Sequence, residues 1–150
     1  WAYPVEDIDT DDITTVNTTS AFKTYYNNDQ MTMYNMIIGA VQQHIVPYEK
    51  ITRIVPNGTA IQNARTSYVG DELTRDGYHM DNGIARYGAS CTVFETLITP
   101  KYNKRLDGNT YTYDVSNSTT TPVTSANASV AREAARYAVK NPYVVTQMKN

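Results

Sequence analysis

The chain has 150 residues, enough for one ordinary domain and too few for two comfortable ones. Leu, Ile, Val and Phe number only 28, but 13 tyrosines and 5 methionines add apolar area, and a net charge of -2 gives little self-repulsion. We therefore expect a globular chain. The balanced charge argues against nucleic-acid binding, the lack of a long apolar run against a membrane span, and the single cysteine, Cys91, against a disulfide framework.

The first 28 residues are polar and turn-rich, and they begin at Trp1 without a charged-then-apolar leader. We therefore expect the chain to start inside a longer protein or after processing. Asp7 and the aspartates at alternate positions after it suggest a calcium loop. Position six of that loop is Asp12 instead of glycine, however, and position twelve is Thr18 instead of glutamate. The segment is therefore predicted to be a solvated acidic loop.

The next elements predict an α/β arrangement. A helix is expected from Asp29 to just before Pro47, because apolar residues recur there at helical spacing. These are Tyr34, Ile37, Ile38, Val41 and Ile45. Residues 51–55 read as a buried strand, which the turn Pro56-Asn57-Gly58 ends. Helix, strand and turn in this order are typical of an α/β domain with a parallel sheet.

Two further helices are predicted in the second half of the chain. One runs from Asp81, a plausible N-cap, to about Leu97. The other covers about 127–140 and carries small side chains on one face, which allow close approach to a neighbouring helix. These are Ala131, Ala134, Ala135 and Ala138. Between the two helices, Asp107-Gly108 favours a small hairpin in a polar stretch.

This inventory predicts one domain in four parts: a polar loop (1–28), an α/β core (29–100), a polar insertion (101–124) and a terminal helix with its tail (125–150). One buried strand does not form a sheet, because its backbone groups need partners on both sides. We therefore expect the missing strands to come from outside this chain.

The two histidines differ in their surroundings. His44 lies late in the first predicted helix without a neighbouring proton-transfer partner, which favours a structural or surface role. His79 follows Asp76 by three residues, and Gly77 between them lets the chain turn sharply. In such a turn the carboxylate can accept the imidazole Nδ1–H and leave Nε2 free to take a proton from a nucleophile. Taken alone, an Asp-x-x-His motif is more often an Asp-Gly turn beside a surface histidine.

A longer pattern surrounds this motif. It consists of Pro56-x-Gly58-Thr59-Ala60-x-Gln62-Asn63-x-Arg65, the stretch from Leu73 to His79, and Gly83-x-x-Arg86-Tyr87-x-Ala89. The combination resembles the C-terminal block of SGNH (GDSL-type) hydrolases. More closely, it is similar to a branch found mostly in Bacteroidetes and described as a domain of unknown function. Trp1-Ala2-Tyr3 and Asp29-Gln30-Met31-x-Met33-Tyr34 look like that branch too.

The resemblance implies a three-layer α/β/α, flavodoxin-like fold with a parallel sheet and a serine nucleophile. In it, His79 would be the general base and Asp76 the acid that orients it. The family's nucleophile serine and its oxyanion-hole glycine and asparagine lie upstream of the matched region, and Gly70-Asp71-Glu72 here has no hydroxyl. We therefore expect this chain to be the C-terminal half of one hydrolase domain, inactive by itself and partnered by the N-terminal half.

Three functional hypotheses follow. In the first, the chain is part of a periplasmic or extracellular serine esterase. This enzyme would act on an ester, such as an acyl group on a carbohydrate, and would use no cofactor. The second is a non-catalytic binding or surface protein that keeps the hydrolase fold, because a fold does not determine a function. The third, a metal site made of Asp76, His79 and Asp81, is disfavoured because no second histidine lies at ligand spacing.

Overall fold

The computed structural model describes residues 23–75, 79–109 and 121–149. They divide into two compact units, with the boundary between Thr52 and Arg53. Residues 1–22, which include the candidate calcium motif, and Asp76 lie outside the described residues, whereas residues 23–26 of the predicted polar loop are helical.

The first unit is built on helix α1, Gln30–Ala40, which continues as one π-helical turn, Val41–Ile45. Asp29 caps this helix, because its carboxylate accepts a hydrogen bond from the backbone N–H of Met31 at 2.9 Å. The helix predicted from Asp29 to just before Pro47 is therefore confirmed.

The second unit contains four helices within the described residues. These are α2 (Asn57–Arg65), α3 (Ile84–Leu97), the short α4 (Thr99–Tyr102) and α5 (Ser125–Lys140). Helix α3 packs against α5, and α2 packs against both. The helices predicted over 81–97 and 127–140 are confirmed. Helix α5 begins slightly earlier than expected because Thr124 and Asn127 form a reciprocal capping box.

Small side chains let α3 and α5 approach each other closely. The predicted alanine face of α5 is buried throughout, at Ala131, Ala134, Ala135 and Ala138. On α3, the glycine Gly88 lies opposite, and a Cβ added there would lie 3.7 Å from the Cβ of Ala131. The hydrophobic core next to this contact includes Ile61, Leu73, Ile84 and Met148.

The predicted parallel-sheet α/β fold is wrong for the described residues, which are mostly helical and form no sheet. Residues 51–55, predicted to be a buried strand, have no regular secondary structure. Ile51 is 42 % exposed. A short apolar run favours a strand only where a neighbour's N–H and C=O groups lie alongside. The β-type pairing in the described residues is limited to an isolated antiparallel bridge between Thr74 and Met80.

Helix α2 begins at Asn57, where the sequence predicted a turn. Its buried residues include three polar side chains, Thr59, Gln62 and Asn63. Apolar periodicity does not reveal such a helix, because polar residues occupy part of its buried face. The rule that hydrophobic residues mark the interior therefore missed this element.

The polar stretch 101–124 is described in part. Asp107 and Gly108 form the predicted turn, in which the backbone N–H of Asn109 donates to the carbonyl of Leu106 at 3.0 Å. Gly108 has a φ of 76°, which favours glycine. The predicted hairpin strands after this turn lie outside the described residues. Where the structure describes the chain, its helices are too short or too polar to cross a membrane.

Candidate active-site loop

The Asp-x-x-His motif lies on a tight loop whose two sides pair through their backbones. The N–H of Asp81 donates to the carbonyl of Leu73 at 2.9 Å, and the N–H of Arg75 donates to the carbonyl of His79 at 3.0 Å. The segments before and after residues 76–78 are therefore joined by backbone hydrogen bonds. The sharp turn predicted around Gly77 falls on residues 76–78, which lie outside the described residues, and it stays a prediction.

His79 lies on the returning side of this loop and is partly buried. Its backbone pairs with that of Arg75, the residue that precedes Asp76 in the sequence. The Asp76–His79 pair itself stays a prediction, because Asp76 is outside the described residues. His44 lies in the exposed π-helical turn at the end of α1, which agrees with the surface role expected for it.

Asp81 is buried, with 1 % of its surface exposed, and its carboxylate accepts three backbone hydrogen bonds. Oδ1 accepts from the N–H of Gly83 at 2.7 Å and from that of Thr121 at 3.1 Å. Oδ2 accepts from the N–H of Ala85 at 2.8 Å. The N-cap of α3 is Gly83 and not Asp81 as predicted, but the Asp81 carboxylate accepts from the first turn of the helix and also reaches a residue 40 positions away.

Thr121 joins the same junction through its own backbone and side chain. Its carbonyl accepts a hydrogen bond from the N–H of Ile84 at 3.1 Å, and its hydroxyl donates to the carbonyl of Glu72 at 3.2 Å. A Cβ at Gly83 would overlap the Thr121 carbonyl, so only glycine allows this approach. We call the group Asp81, Gly83 and Thr121 the loop junction. It joins the base of the His79 loop to the start of α3.

Three of the four described serines donate their hydroxyl protons locally, and the fourth, Ser125, is the exposed first residue of α5. Ser67 donates to the carbonyl of Ala64 at 2.6 Å, and Ser90 and Ser129 donate to carbonyls within their own helices. The stretch that most resembles a nucleophile turn carries Asp71, which forms an ion pair with Arg65. None of these groups is arranged as an activated nucleophile.

Cys91 is buried between α3 and α5 and is a free thiol. Burial raises the pKa of Cys91 to about 11, and a hydrogen bond with Tyr87 and the charge of Arg132 oppose that shift only in part. The thiol therefore stays protonated near neutral pH and is a poor nucleophile. Cys91 fills space in the helix interface.

A polar cluster that the sequence analysis missed lies at the other end of this interface. Glu95 is 8 % exposed and faces Arg136, with 3.5 Å between Oε1 and Nε. The hydroxyl of Thr99 donates to Oε2 of Glu95 at 3.0 Å. Arg136 also pairs with Asp107, which Arg105 contacts at 2.6 Å. The cluster attaches the Asp107 turn to α5 and holds no histidine or nucleophile.

A second buried polar group holds the C-terminal tail on α2. Asn63 is fully buried; its amide donates to the carbonyl of Ala134 at 3.1 Å, and its oxygen accepts from the N–H of Thr146 at 2.6 Å. The hydroxyl of Thr66 likewise accepts from the N–H of Met148 at 2.8 Å. These contacts join α2, α5 and the tail. Sequence spacing does not signal them, because the partners are about 70 to 80 residues away.

The described residues contain no group of three or more His, Cys, Asp or Glu side chains placed to hold a metal ion. Of the predicted catalytic residues Asp76 and His79, the structure describes His79, and Asp81 of the loop junction follows it by two residues.

Comparison with known proteins agrees with the predicted branch at the family level. A family described as "Domain of unknown function (DUF4886)" matches residues 14–138. The chain is also similar to the crystal structure of a DUF4886 family protein from Bacteroides uniformis ATCC 8492, with 36 % identity and a TM-score of 0.74. That match covers 99 % of this chain and 48 % of the other, so the chain spans about half the length of this relative. No curated protein matches.

Proposed function

We propose, from the premise that the chain belongs to the DUF4886 family, that it supplies the histidine and aspartate of an acyl-ester hydrolase. His79 is the general base, and Asp76 accepts its Nδ1–H and orients the ring. The observation that carries the proposal is the pair of backbone hydrogen bonds, from Arg75 to His79 and from Asp81 to Leu73, that joins the segment of the histidine to the preceding one. The resemblance of the surrounding motifs to SGNH hydrolases supports the same roles.

The nucleophile in this proposal is a serine from the part of the family polypeptide that this chain does not cover. Two observations support that source. The hydroxyls of Ser67, Ser90 and Ser129 donate to local carbonyls, and the solved relative is about twice as long as the matched region. The partner of this chain is then the remaining half of the same family domain.

The proposed reaction has two steps. Nε2 of His79 takes the serine proton while the serine oxygen attacks the ester carbonyl, and the imidazolium then protonates the departing alcohol. Water repeats the attack on the acyl-enzyme, again with His79 as the base, and releases the acid and the free serine. Asp76 stabilises the imidazolium in both steps. The substrate is an ester, such as an acyl group on a carbohydrate.

The test is an assay of the intact protein, expressed from its complete reading frame, with a small aryl acetate. His79→Gln is expected to lower kcat by about 10²- to 10⁴-fold, because general base catalysis contributes that much. His44→Gln is the matched control, since His44 is exposed and distant in sequence from the loop. Asp76→Asn tests the orienting role.

A phenylmethanesulfonyl fluoride adduct, located by mass spectrometry, identifies the serine and is expected to be lost in His79→Gln. Unchanged turnover in His79→Gln contradicts the proposal. A protein that has no esterase activity and forms no adduct favours the alternative function, a non-catalytic binding protein.

A further inference from the structure

We propose that Asp81 is a positioning residue that holds His79 at its working position by tying the loop base to helix α3 and Thr121. This inference rests on the proposed function of His79. Asp81 touches no reacting atom in this scheme; it acts through the backbone two residues away.

The Asp81 site requires a group that only accepts hydrogen bonds. Its three partners, Gly83, Ala85 and Thr121, all present backbone N–H donors at 2.7 to 3.1 Å. A carboxylate accepts from all of them, whereas an amide of the same shape turns an NH₂ group towards at least one donor. The carboxylate also lies at the N-terminus of α3, where the helix dipole stabilises a negative charge. The site is therefore specific for aspartate.

The position of Asp81 is transmitted to His79 through a short backbone path. One residue, Met80, separates the two, and Thr74 pairs with Met80 across the loop. Two hydrogen bonds close the loop on either side of this pair, from Asp81 to Leu73 and from Arg75 to His79. A shift of Asp81 therefore shifts the histidine.

The residues on both sides of Asp81 are buried. Leu73 and Ile84 are each 2 % exposed, and both belong to the hydrophobic core of the second unit. Asp81 contacts Leu73 through its own N–H, and its carboxylate accepts from Gly83 and Ala85, the two neighbours of Ile84 in sequence. Because a displacement of about 1 Å in a reacting group can cost about 10²-fold in rate, a shift of Asp81 has a catalytic consequence.

Asp29 provides a matched control within the same chain. It caps helix α1, accepting from the N–H of Met31 at 2.9 Å, but it is exposed and its partners lie within three residues. Asp29→Asn removes the charge of a helix cap but leaves a capping oxygen in place, and its partners Met31 and Thr32 are not part of the His79 loop. The same Asp→Asn change at the two positions therefore separates the general effect of losing a capping charge from positioning.

The experiment compares Asp81→Asn, Asp81→Ser and Asp29→Asn in the intact protein, with an aryl acetate, at a temperature where circular dichroism shows each variant folded. Serine retains one capping acceptor, so Asp81→Ser guards against a variant that simply fails to fold. Both Asp81 variants are expected to lower kcat by about 10- to 100-fold with KM changed by less than about 2-fold. Hydrogen exchange at the Arg75 amide is expected to accelerate. Asp29→Asn is expected to leave kcat, KM and the hydrogen exchange of the Arg75 amide unchanged.

Wild-type kcat in a folded Asp81 variant overturns the inference, as does a kcat loss that Asp29→Asn reproduces. His79→Gln in the same series separates the two proposals. If His79→Gln loses activity while the Asp81 variants keep theirs, only the positioning role of Asp81 is wrong and the proposed function stands. If it keeps activity, the proposed function is wrong, and the catalytic role of Asp81 is wrong with it.

Discussion

Two polar junctions in the second unit attach a loop to the helices, and they differ in burial. At the loop junction, Asp81 is 1 % exposed and contacts only backbone N–H groups. At the other junction, the Asp107 side chain is 50 % exposed and pairs with Arg105 and Arg136. The loop junction contains one charged side chain, Asp81, whereas the junction at Asp107 contains that aspartate and two arginines.

We expect the burial of each junction, more than its number of charges, to decide how much it stabilises the fold. If the Asp81 carboxylate is lost, buried N–H groups lose their acceptor, and water does not reach them easily. If the Asp107 pairs are lost, water and salt solvate the separated charges. The substitutions below test this ordering, starting with the largest expected effect.

Gly83→Ala should break the buried junction most severely. The new Cβ overlaps the carbonyl of Thr121, which is backbone and does not move aside. We expect the free energy of unfolding, measured by urea titration, to fall by about 3 kcal/mol, the upper range for overpacking.

Gly88→Ala is the matched control for this substitution. Its Cβ makes an ordinary contact with Ala131 at 3.7 Å. Because alanine favours a helix over glycine, Gly88→Ala should raise the free energy of unfolding by about 0.5–1 kcal/mol. Equal effects at the two glycines would show that the approach of Thr121 is not tight.

Asn63→Leu should be next in effect. The substitution keeps the volume nearly constant but leaves the N–H of Thr146 without its acceptor and removes the donor to Ala134. Since each buried unsatisfied group costs about 1–3 kcal/mol, we expect a loss of about 2–4 kcal/mol in urea unfolding.

The control is Asn35→Leu, at an exposed position of α1, which should change the free energy of unfolding by less than about 0.5 kcal/mol. A loss below about 1 kcal/mol in Asn63→Leu would mean that the tail does not depend on this amide.

Asp107→Asn should have the smallest effect, and the effect should depend on salt and pH. A hydrogen bond from Arg105, together with the charge of Arg136, lowers the pKa of Asp107. A lowered pKa means that the charged form stabilises the fold above the ordinary carboxyl pKa, and that this contribution disappears as the pH falls through the lowered value.

Thermal unfolding at pH 7 should therefore show a slightly lower melting temperature for Asp107→Asn, and the difference should vanish in acid and in high salt. Glu133→Gln, an exposed carboxylate on α5, is the control and should leave the melting temperature unchanged. A difference that persists in acid would contradict the ion-pair explanation.

Much of the helical structure could be predicted because its signals are local. Asp29 caps α1, Asp81 accepts from the first turn of α3, and the alanines of α5 repeat at helical spacing. The strand predicted over 51–55 was wrong because a strand needs a neighbouring strand to pair with, and the sequence of one segment does not encode that neighbour. Helix α2 was missed because Asn63 and its polar neighbours are buried by partners far along the chain.

The Asp76–His79 site stays a prediction, because Asp76 lies outside the described residues. The structure adds the backbone pairing of Arg75 with His79. The link from Asp81 to Thr121 crosses 40 residues and has no local signature. Spacing alone could not find it.

The sequence by itself determined that three of the helices exist and about where they lie, because helical spacing is a signal that spans only a few residues. The tertiary structure alone decided three further features: residues 51–55 form no strand, Asn63 holds the tail, and Asp81 joins three segments. Each of these depends on which distant group reaches a buried donor or acceptor. The physical reason is that a buried polar atom must find its partner wherever the fold places one. The same aspartate-to-helix contact is therefore local and exposed at Asp29 but central and buried at Asp81.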